Sequence, residues 1–344
     1  MKAHPNPQNA FEPAAERPLS SSKAPPDSPD YALLDNMRLA ELHEAFLVGQ
    51  INAHTRQTYA NGIDAFFRFL SVSGLTDLLD VEPRHVASFV TEMGASGYET
   101  ATVRLYLSAL RMFLDACVVD GLLSVNPAKS VRAPRQSQLS GKTPVVMSKQ
   151  VRQILDSIPD GSDPALPCTE ADLRDRALIG LMTFSFFRVS AAIGLRLKDY
   201  VARGDEMWLI GQEKGSKRHE MPVHPTLEAM LDDLITRMGW DAAGTPPDMP
   251  LFQSSTGRGG RLTGRSLDRT AAWRMVRKRA RAAGLTQDVC NHTFRATGIT
   301  AYLNAGGNLE DARIMANHSN ATTTKLYDRT GDTAKAREIG RLSI

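Results

Sequence analysis

The sequence predicts a mainly α-helical protein of two domains, with a small antiparallel β-sheet in the second domain. Apolar residues recur at helical spacing between residues 35 and 128. Two short apolar runs flank a glycine-containing turn between residues 206 and 224, and a polar segment with two prolines, residues 129–144, separates the two periodic regions. With 344 residues, 42% of them hydrophobic, the chain is long enough to bury two ordinary cores.

The N-terminal segment has a different composition from the rest of the chain. Residues 1–30 hold seven of the nineteen prolines, a run of serines and few large apolar side chains. Such a composition buries too little surface to offset the entropy of ordering the chain. We therefore expect residues 1–34 to form a disordered arm.

The first domain, residues 35–128, is predicted to be a bundle of about four helices. Their sequences are MRLAELHEAFLVGQ, HTRQTYANGIDAFFRFLSVSG, EPRHVASFVTEMGASG and ETATVRLYLSALRMFLDACVVDG. Gly74 and Gly121 each follow a helical segment, as helix-ending residues do. In the second helix, large side chains recur every three or four residues, at Tyr59, Ile63, Phe66, Phe67 and Leu70. We interpret this stripe as core rather than as a base-stacking surface.

The second domain, residues 145–344, is predicted to be helical apart from one hairpin. It opens with a helix that Ser148 can cap and continues with the apolar helix ADLRDRALIGLMTFSFF. EMWLIG and RHEMPVH, joined by QEKGSK, predict the hairpin and the only sheet. Everything after residue 264 is predicted to be helical.

Charge and cysteine usage restrict the class of protein. The three cysteines are widely separated and suggest neither a disulfide framework nor a zinc site, which fits a reducing cytoplasm. No apolar run is long enough to span a membrane, and the N-terminus lacks the apolar core of a signal peptide. The net charge of +3 conceals a basic stretch, residues 258–281, with nine Arg or Lys and one Asp. This stretch suits a polyanion such as nucleic acid, or is simply a solvated helix face.

Six polar residues of the second domain are the candidate site: Arg188, Lys214, His292, Arg295, His318 and Tyr327. Each alone has an ordinary structural explanation, such as a surface ion pair or a packed histidine. Together they form a set of hydrogen-bond donors, and we expect no Asp or Glu to accompany them. That composition predicts a site for an anion.

The donor set suits phosphoryl transfer without a metal or other cofactor. Guanidinium groups bind phosphate oxygens in a bidentate way and stabilise the added charge of a pentacoordinate transition state. A tyrosine is then a candidate nucleophile if the electropositive site lowers its pKa, which is about 10 in model compounds. A lysine or histidine can protonate the departing sugar oxygen.

Four motifs carry a resemblance to a known family: FFRVSAAIGL, QEKGSKRHEMPV, HTFRATGITAYLNAGG and ANHSNATTTKLYDR. In this order and spacing they resemble the four signatures of the tyrosine recombinase, or phage integrase, family, which includes Cre, the Xer recombinases and lambda integrase. The match covers essentially the second domain. Residues 35–128 are similar to the family's helical core-binding (SAM-like) domain. The resemblance implies a C-shaped clamp in which the two domains hold DNA from opposite sides.

The resemblance also implies a role for each candidate residue. Arg188 and Arg295 resemble the two catalytic arginines that grip the scissile phosphate. Tyr327 resembles the nucleophile that forms a 3′-phosphotyrosyl bond. His318 takes the place of the histidine or tryptophan that bonds a phosphate oxygen.

His292 corresponds to the family's acid/base histidine, and Lys214 to the hairpin lysine that protonates the 5′ oxygen. Lys217 is the alternative if the register in EKGSK is shifted.

Two positions depart from the family pattern. Ala191 replaces an acidic residue that commonly supports the first arginine, which puts the support of Arg188 in doubt, and Asn317 replaces the glycine before the second histidine.

DNA contacts outside the active site are expected from basic residues of the linker and of the stretch after residue 273. Phosphate contacts of this kind make affinity salt-dependent without specifying sequence. The candidates are Arg132, Arg135, Lys142, Arg274, Arg277, Lys278 and Arg281.

The resemblance further implies a homotetramer on double-stranded DNA with an inverted-repeat core site, formed from free monomers or weak dimers. A C-terminal segment, residues 333–344, carries Ile339, Leu342 and Ile344. It docks either on a neighbouring protomer or on its own domain, and we favour the neighbour. An accessory directionality factor is a possible further partner, no membrane is involved, and a bacterial, nucleoid-associated cytoplasmic location is expected.

Several functions remain open at this stage. A type IB topoisomerase uses a similar set of residues to relax DNA, and a DNA-binding protein descended from a recombinase would be catalytically silent. Among recombinases, the motifs do not separate integration, excision or transposition of a mobile element from Xer-like chromosome-dimer resolution. The proline-rich arm and the unusual motifs favour a mobile-element enzyme.

Overall fold

The computed structural model describes residues 37–135, 144–213, 217–257 and 260–328. The chain divides into two compact units, the first ending at Ser137 and the second beginning at Gln138. The expected arm (residues 1–34), Lys142, Lys214 and the expected docking segment (residues 333–344) lie outside the described residues. No helix in the described ranges has the length and apolar content to cross a bilayer.

Four α-helices and one short 3-10 helix lie in the described part of the first unit, which confirms the predicted helices. Asn52 caps the second helix by accepting hydrogen bonds from the backbone of His54 and Thr55. Gly74 and Gly121 adopt φ values of +74° and +75° directly after two of the helices, as helix-ending glycines do. The helices are α1 Met37–Val48, α2 Ala53–Val72, α3 Pro83–Ala95 and α4 Thr100–Val119, with the 3-10 helix at Leu78–Asp80.

The aromatic stripe of α2 forms the core of the first unit, as predicted. Ile63, Phe66, Phe67 and Leu70 are fully buried. The ring of Phe67 packs edge-on against that of Phe113 on α4, with their centroids 5.8 Å apart. The stripe is therefore not available as a base-stacking surface.

Eight α-helices and a 3-10 helix are described in the second unit. The first of them begins at Ser148, so Ser148 is a helical residue and not the predicted cap. Met147 precedes it, and its backbone N–H donates to the side chain of Gln150. The helices are α5 Ser148–Asp156, α6 Glu170–Phe184, α7 Val189–Ala192, α8 Pro225–Arg237, α9 Arg269–Ala282, α10 Asn291–Asn304, α11 Leu309–Met315 and α12 Ala321–Lys325, with the 3-10 helix at Leu197–Asp199.

Two antiparallel sheets occur among the described residues of this unit, where the sequence predicted one. The strands are β1 Tyr200–Arg203, β2 Glu206–Gln212, β3 Arg218–Pro222, β4 Gln253–Thr256 and β5 Arg261–Ser266. The predicted hairpin is β2–β3, in which Gly211 pairs with His219, and β1 adds to its other edge. The prediction of a single sheet was wrong because QSST and RLTGRS in β4 and β5 carry polar and basic residues instead of alternating apolar ones.

A glycine allows the helix that carries two candidate residues to pack closely on the centre of the unit. A Cβ atom at Gly298 on α10 would lie 2.0 Å from the carbonyl oxygen of Thr183 on α6. Only glycine permits this approach. The close packing of α10 on α6 fixes where the first turn of α10, with His292 and Arg295, is placed.

Candidate active site

The turn that presents Arg188 has an unusual backbone. Phe186 follows the end of α6 and has a φ of +55°. Residues other than glycine rarely adopt this left-handed conformation. Its ring is buried, and its carbonyl oxygen accepts a hydrogen bond from Arg295. Arg188 is then the residue that precedes α7, and its side chain is 36% exposed. Backbone strain of this kind concentrates at functional sites.

His292 and Tyr327 form the central contact of the site. Nε2 of His292, in the first turn of α10, lies 3.0 Å from the hydroxyl of Tyr327, which follows α12. Burial, together with the charges of Arg295 and Arg188, lowers the pKa of His292 to about 4. His292 is therefore neutral at pH 7, and its ring can accept the tyrosine proton.

The pKa of Tyr327 differs from the expectation. Burial raises it above the usual value, and the opposing charges of Arg295 and Arg188 lower it by less. Tyr327 is only 6% exposed, so the loss of solvation of the phenolate outweighs the attraction of the arginines. In the DNA-free protein the tyrosine is therefore protonated, and its activation requires a proton acceptor.

His318 lies parallel to the ring of Tyr327, with centroids 6.0 Å apart and an interplanar angle of 12°. Its Nδ1 is 3.0 Å from the hydroxyl of Thr324 on α12, which orients the ring. Burial and the charges of Arg295 and Arg188 lower the pKa of His318 to about 3, so this histidine is also neutral at pH 7.

The backbone of Asn317 shows why asparagine can replace the family's glycine before the second histidine. It adopts φ +47° after the end of α11, and the backbone N–H of His318 then bonds the carbonyl of Arg313. Asparagine is one of the few residues besides glycine that tolerate this conformation. The substitution therefore preserves the turn that places His318.

Arg295 is fully buried. Its two terminal nitrogens donate to the carbonyl oxygens of Phe186 and Ala316. Burial and the neighbouring charge of Arg188 lower its pKa to about 10, so the guanidinium stays charged at pH 7. The two arginines differ: Arg188 is accessible from solvent, whereas Arg295 lies beneath it in the protein interior.

A carboxylate that the sequence analysis missed joins the two arginines. Glu213 is 7% exposed; its Oε2 contacts Arg188, and its Oε1 is 3.5 Å from Nη1 of Arg295. The expectation that no Asp or Glu accompanies the donors was therefore wrong. Arg188 contacts this carboxylate, whereas Ala191 has no charged group to offer it. The strand alternation indicated this inward direction, since Leu209 and Gly211, four and two residues before Glu213, are buried.

The remaining candidates lie apart from this cluster. Lys217 is exposed, and its carbonyl accepts from the backbone N–H of Glu213 at 2.8 Å. The hydroxyl of Tyr200 donates to Asp232 at 2.9 Å, while Tyr302 packs beside Gly307. These contacts place neither tyrosine against the two site histidines.

Most of the candidate DNA-contacting residues are exposed: Arg132, Arg135, Arg274, Lys278 and Arg281. Arg277 lies over the ring of Trp273 at 4.9 Å and pairs with Asp288 at 3.5 Å. Arg279 of the same helix turns inward and pairs with Asp172 and Asp175. The basic stretch therefore has a solvent-facing row of cations and at least one structural arginine.

Comparisons with known proteins bear on this site. Residues 144–333 match the model of the phage integrase family, and residues 42–119 match the N-terminal SAM-like domain of phage integrases. The chain is 32% identical over 280 residues to tyrosine recombinase XerC of Actinobacillus succinogenes, covering 81% of this chain and 87% of that protein. It is 28% identical over 297 residues to tyrosine recombinase XerD of Corynebacterium glutamicum, covering 85% and 92%.

Solved structures share the fold. The XerH recombinase in its post-cleavage complex with a palindromic difH substrate matches with a TM-score of 0.67 and 18% identity, covering 90% of this chain and 87% of that chain. A lambda integrase tetramer bound to a Holliday junction matches with a TM-score of 0.60 and 17% identity, covering 83% and 77%. Since the family model spans more than half of the chain and the four motifs converge on one buried cluster, this chain belongs to the phage integrase family and is a tyrosine recombinase.

Proposed function

We propose that this protein is a site-specific recombinase that cleaves and rejoins DNA strands through a 3′-phosphotyrosyl intermediate on Tyr327. The arginines take the place of a metal in stabilising the phosphate charge, and no ATP is needed because the phosphodiester energy is kept in the protein–DNA bond. The observation that carries the proposal is the 3.0 Å contact between the Tyr327 hydroxyl and His292, beside two arginines. A protonated phenol next to a neutral imidazole is a nucleophile with its proton acceptor in place.

In the proposed cleavage step, the Tyr327 oxygen attacks the scissile phosphorus, and its proton passes to Nε2 of His292. The bond from phosphorus to the 5′ oxygen breaks, and Lys214 protonates that oxygen. Rejoining is the reverse, with a 5′ hydroxyl as the attacking group. The motif resemblance supports Lys214 in this role, with Lys217 as the alternative.

The two arginines have different parts in this proposal. Arg188 is accessible and contacts the phosphate directly. Arg295 is buried and already bonded to two carbonyl oxygens, so it reaches a phosphate oxygen by exchanging one of those bonds. Both stabilise the charge added in the transition state. His318 donates to a further phosphate oxygen, for which its Nε2 must carry the proton while Nδ1 accepts from Thr324.

We assign residues 35–128 to core binding, 129–144 to the linker and 145–344 to catalysis, as a C-shaped clamp on double-stranded DNA in the cytoplasm of a bacterium, near the nucleoid. Homotetramers on an inverted-repeat core site, with trans docking of residues 333–344 and a possible directionality factor, complete the proposal. The solved relatives, described with DNA as dimers and tetramers, support it. The assigned DNA contacts are Arg132, Arg135, Lys142, Arg274, Arg277, Lys278 and Arg281.

Two biological roles fit this chemistry. The proline-rich composition before residue 35 and the unusual motifs favour integration, excision or transposition of a mobile element. The XerC and XerD relatives favour chromosome-dimer resolution as the second candidate.

The experiment that tests the chemistry does not need the target site in advance. The protein is expressed beside its host DNA, non-covalent complexes are removed with denaturant, and the DNA still attached is sequenced, with Tyr327→Phe as control. We expect attached DNA at one inverted-repeat core and none in the control. Sites at the ends of an element support the first role, and a single chromosomal site supports the second.

Two results would contradict the proposal. If neither the wild-type protein nor Tyr327→Phe forms an adduct, the protein is a DNA-binding module or an enzyme that needs a partner. Adducts scattered over many sequences, with relaxation of supercoils and no strand exchange, indicate a topoisomerase.

A further inference from the structure

Glu213 stands between the two arginines with no solvent to screen it. Its side chain is 2% exposed and that of Arg295 is 0% exposed, while Arg188 closes the group from the solvent side. Two guanidinium groups this close repel each other, and the pKa of Arg295 is lowered by burial and then by Arg188. A buried carboxylate that touches both is the element that holds the pair together.

The carboxylate is ionised. Burial alone would raise the pKa of Glu213, but His219 and the charges of Arg188 and Arg295 outweigh burial, so the pKa is lowered. An ionised Glu213 accepts a charge-assisted hydrogen bond from Arg188 and forms an ion pair with Arg295, whose Nη1 lies 3.5 Å from Oε1.

His219 lies beside Glu213. Its ring stacks on Phe187, with centroids 4.3 Å apart at 10°, and its Nδ1 lies 3.4 Å from Oε1 of Glu213. The opposite nitrogen, Nε2, is 2.8 Å from the carbonyl oxygen of Met315 and must donate to it. Met315 ends α11, three residues before His318, so this histidine ties the β2–β3 hairpin to the segment that carries the second site histidine.

The neighbouring helix offers no substitute for this carboxylate. Ala191 is buried, and with Gly194 and Gln212 it lines a cavity of about 120 Å³. The side chain of Ala191 has no charge with which to orient Arg188. Among the described residues, the ion pairs of Arg188 and Arg295 both go to Glu213.

Resting on the proposed cleavage reaction, we propose that Glu213 is the positioning residue of this active site. It keeps Arg188 and Arg295 together in one arrangement for the scissile phosphate, and His219 packs between it and the end of α11.

The test compares Glu213→Gln with Glu220→Gln, which removes a carboxylate from the same hairpin where it pairs with Arg203 on the surface. The substrate is the core site recovered from the adduct experiment, with a nick that traps the covalent product. Single-turnover cleavage, DNA affinity and thermal unfolding are measured. We expect Glu213→Gln to slow cleavage by about 10²-fold, since displaced catalytic groups cost that much. DNA affinity and unfolding temperature should stay near those of the Glu220→Gln control.

A Glu213→Gln protein that is folded and cleaves at the wild-type rate would overturn the inference. So would a loss of cleavage that is matched by an equal loss of DNA affinity, because that outcome indicates a general structural role. If Glu213→Gln does not fold, His219→Gln decides: about tenfold slower cleavage with unchanged affinity supports the inference, and a wild-type rate overturns it. The proposed cleavage reaction is judged separately, by whether the wild-type protein forms an adduct that Tyr327→Phe lacks.

Discussion

The interiors of the two units differ in the side chains that they contain. In the first unit, aromatic and aliphatic side chains fill the core, and Asn126 is the one buried polar residue among those described. The described interior of the second unit encloses Arg174 and Asp175 together with Glu213, Arg295 and His318. Burying charge is costly unless every group is paired. The interior of the first unit is therefore suited to stability alone. The interior of the second unit contains charged groups in place of some apolar packing, and several of these groups belong to the site.

The largest effect is expected from removing the accessible arginine of the second unit. Arg188→Ala should slow adduct formation by about 10³-fold, as the loss of a preorganised transition-state contact does. The unfolding temperature should also fall, because Glu213, whose side chain is 2% exposed, loses its contact with Arg188. Single-turnover cleavage and thermal unfolding would be measured beside Arg203→Ala, a surface control on β1. Cleavage within tenfold of wild type would contradict the role of Arg188.

In the first unit, a large effect is expected on stability rather than on cleavage. Phe66→Ala removes a fully buried ring and should lower the free energy of unfolding by about 3–5 kcal/mol. The three tryptophans, Trp208, Trp240 and Trp273, all lie in the second unit. In a urea titration of Phe66→Ala, the circular dichroism signal of the helices should therefore begin to fall at a lower urea concentration than in wild type. The tryptophan fluorescence should keep the wild-type midpoint.

The matched control is Phe69→Ala, where the ring is only partly buried and the cost should be smaller. If Phe66→Ala shifts both signals together, the two units unfold as one, and the contrast drawn between them does not extend to their stability.

A smaller effect is expected at the turn before His318. Asn317→Val forces a β-branched residue into a left-handed conformation and should cost roughly 1–2 kcal/mol of unfolding free energy. Asn317→Gly accepts the same φ and should stay within a few tenths of a kcal/mol of wild type. Urea denaturation followed by tryptophan fluorescence distinguishes them. Equal costs for the two variants would show that the asparagine side chain, and not its backbone, matters.

The smallest expected effect is a flat pH dependence. With a pKa of about 4, His292 is neutral throughout pH 6 to 8, so adduct formation should show no inflection there from this residue. Its pKa lies below the unfolded value of 6.5, so the folded state binds the proton less readily. Stability is therefore unaffected above pH 6.5 and falls as the pH drops towards 4. Cleavage rates across this range test the assignment, and an inflection near pH 6.5 would contradict it.

The sequence carried different amounts of information about the two interiors. The helices of the first unit follow from periodic apolar residues and glycines, because burial of one face determines them. In the second unit, β4 and β5 have no apolar alternation to reveal them. Four motifs located His292 and Tyr327, yet the burial of Arg295 depends on contacts with Phe186 and Ala316 that lie far apart in sequence.

Glu213 was hidden for another reason. A charged residue beside a glycine turn usually faces solvent. Only the strand alternation that continues through β2 into residue 213 predicts that it points inward, and its pairing with two distant arginines depends on tertiary structure.

The position of Glu213 in the chain has one more consequence. The next residue in the sequence is Lys214, the proposed general acid. In the proposed reaction, the group that protonates the leaving strand and the carboxylate that contacts both arginines therefore belong to adjacent residues of one hairpin.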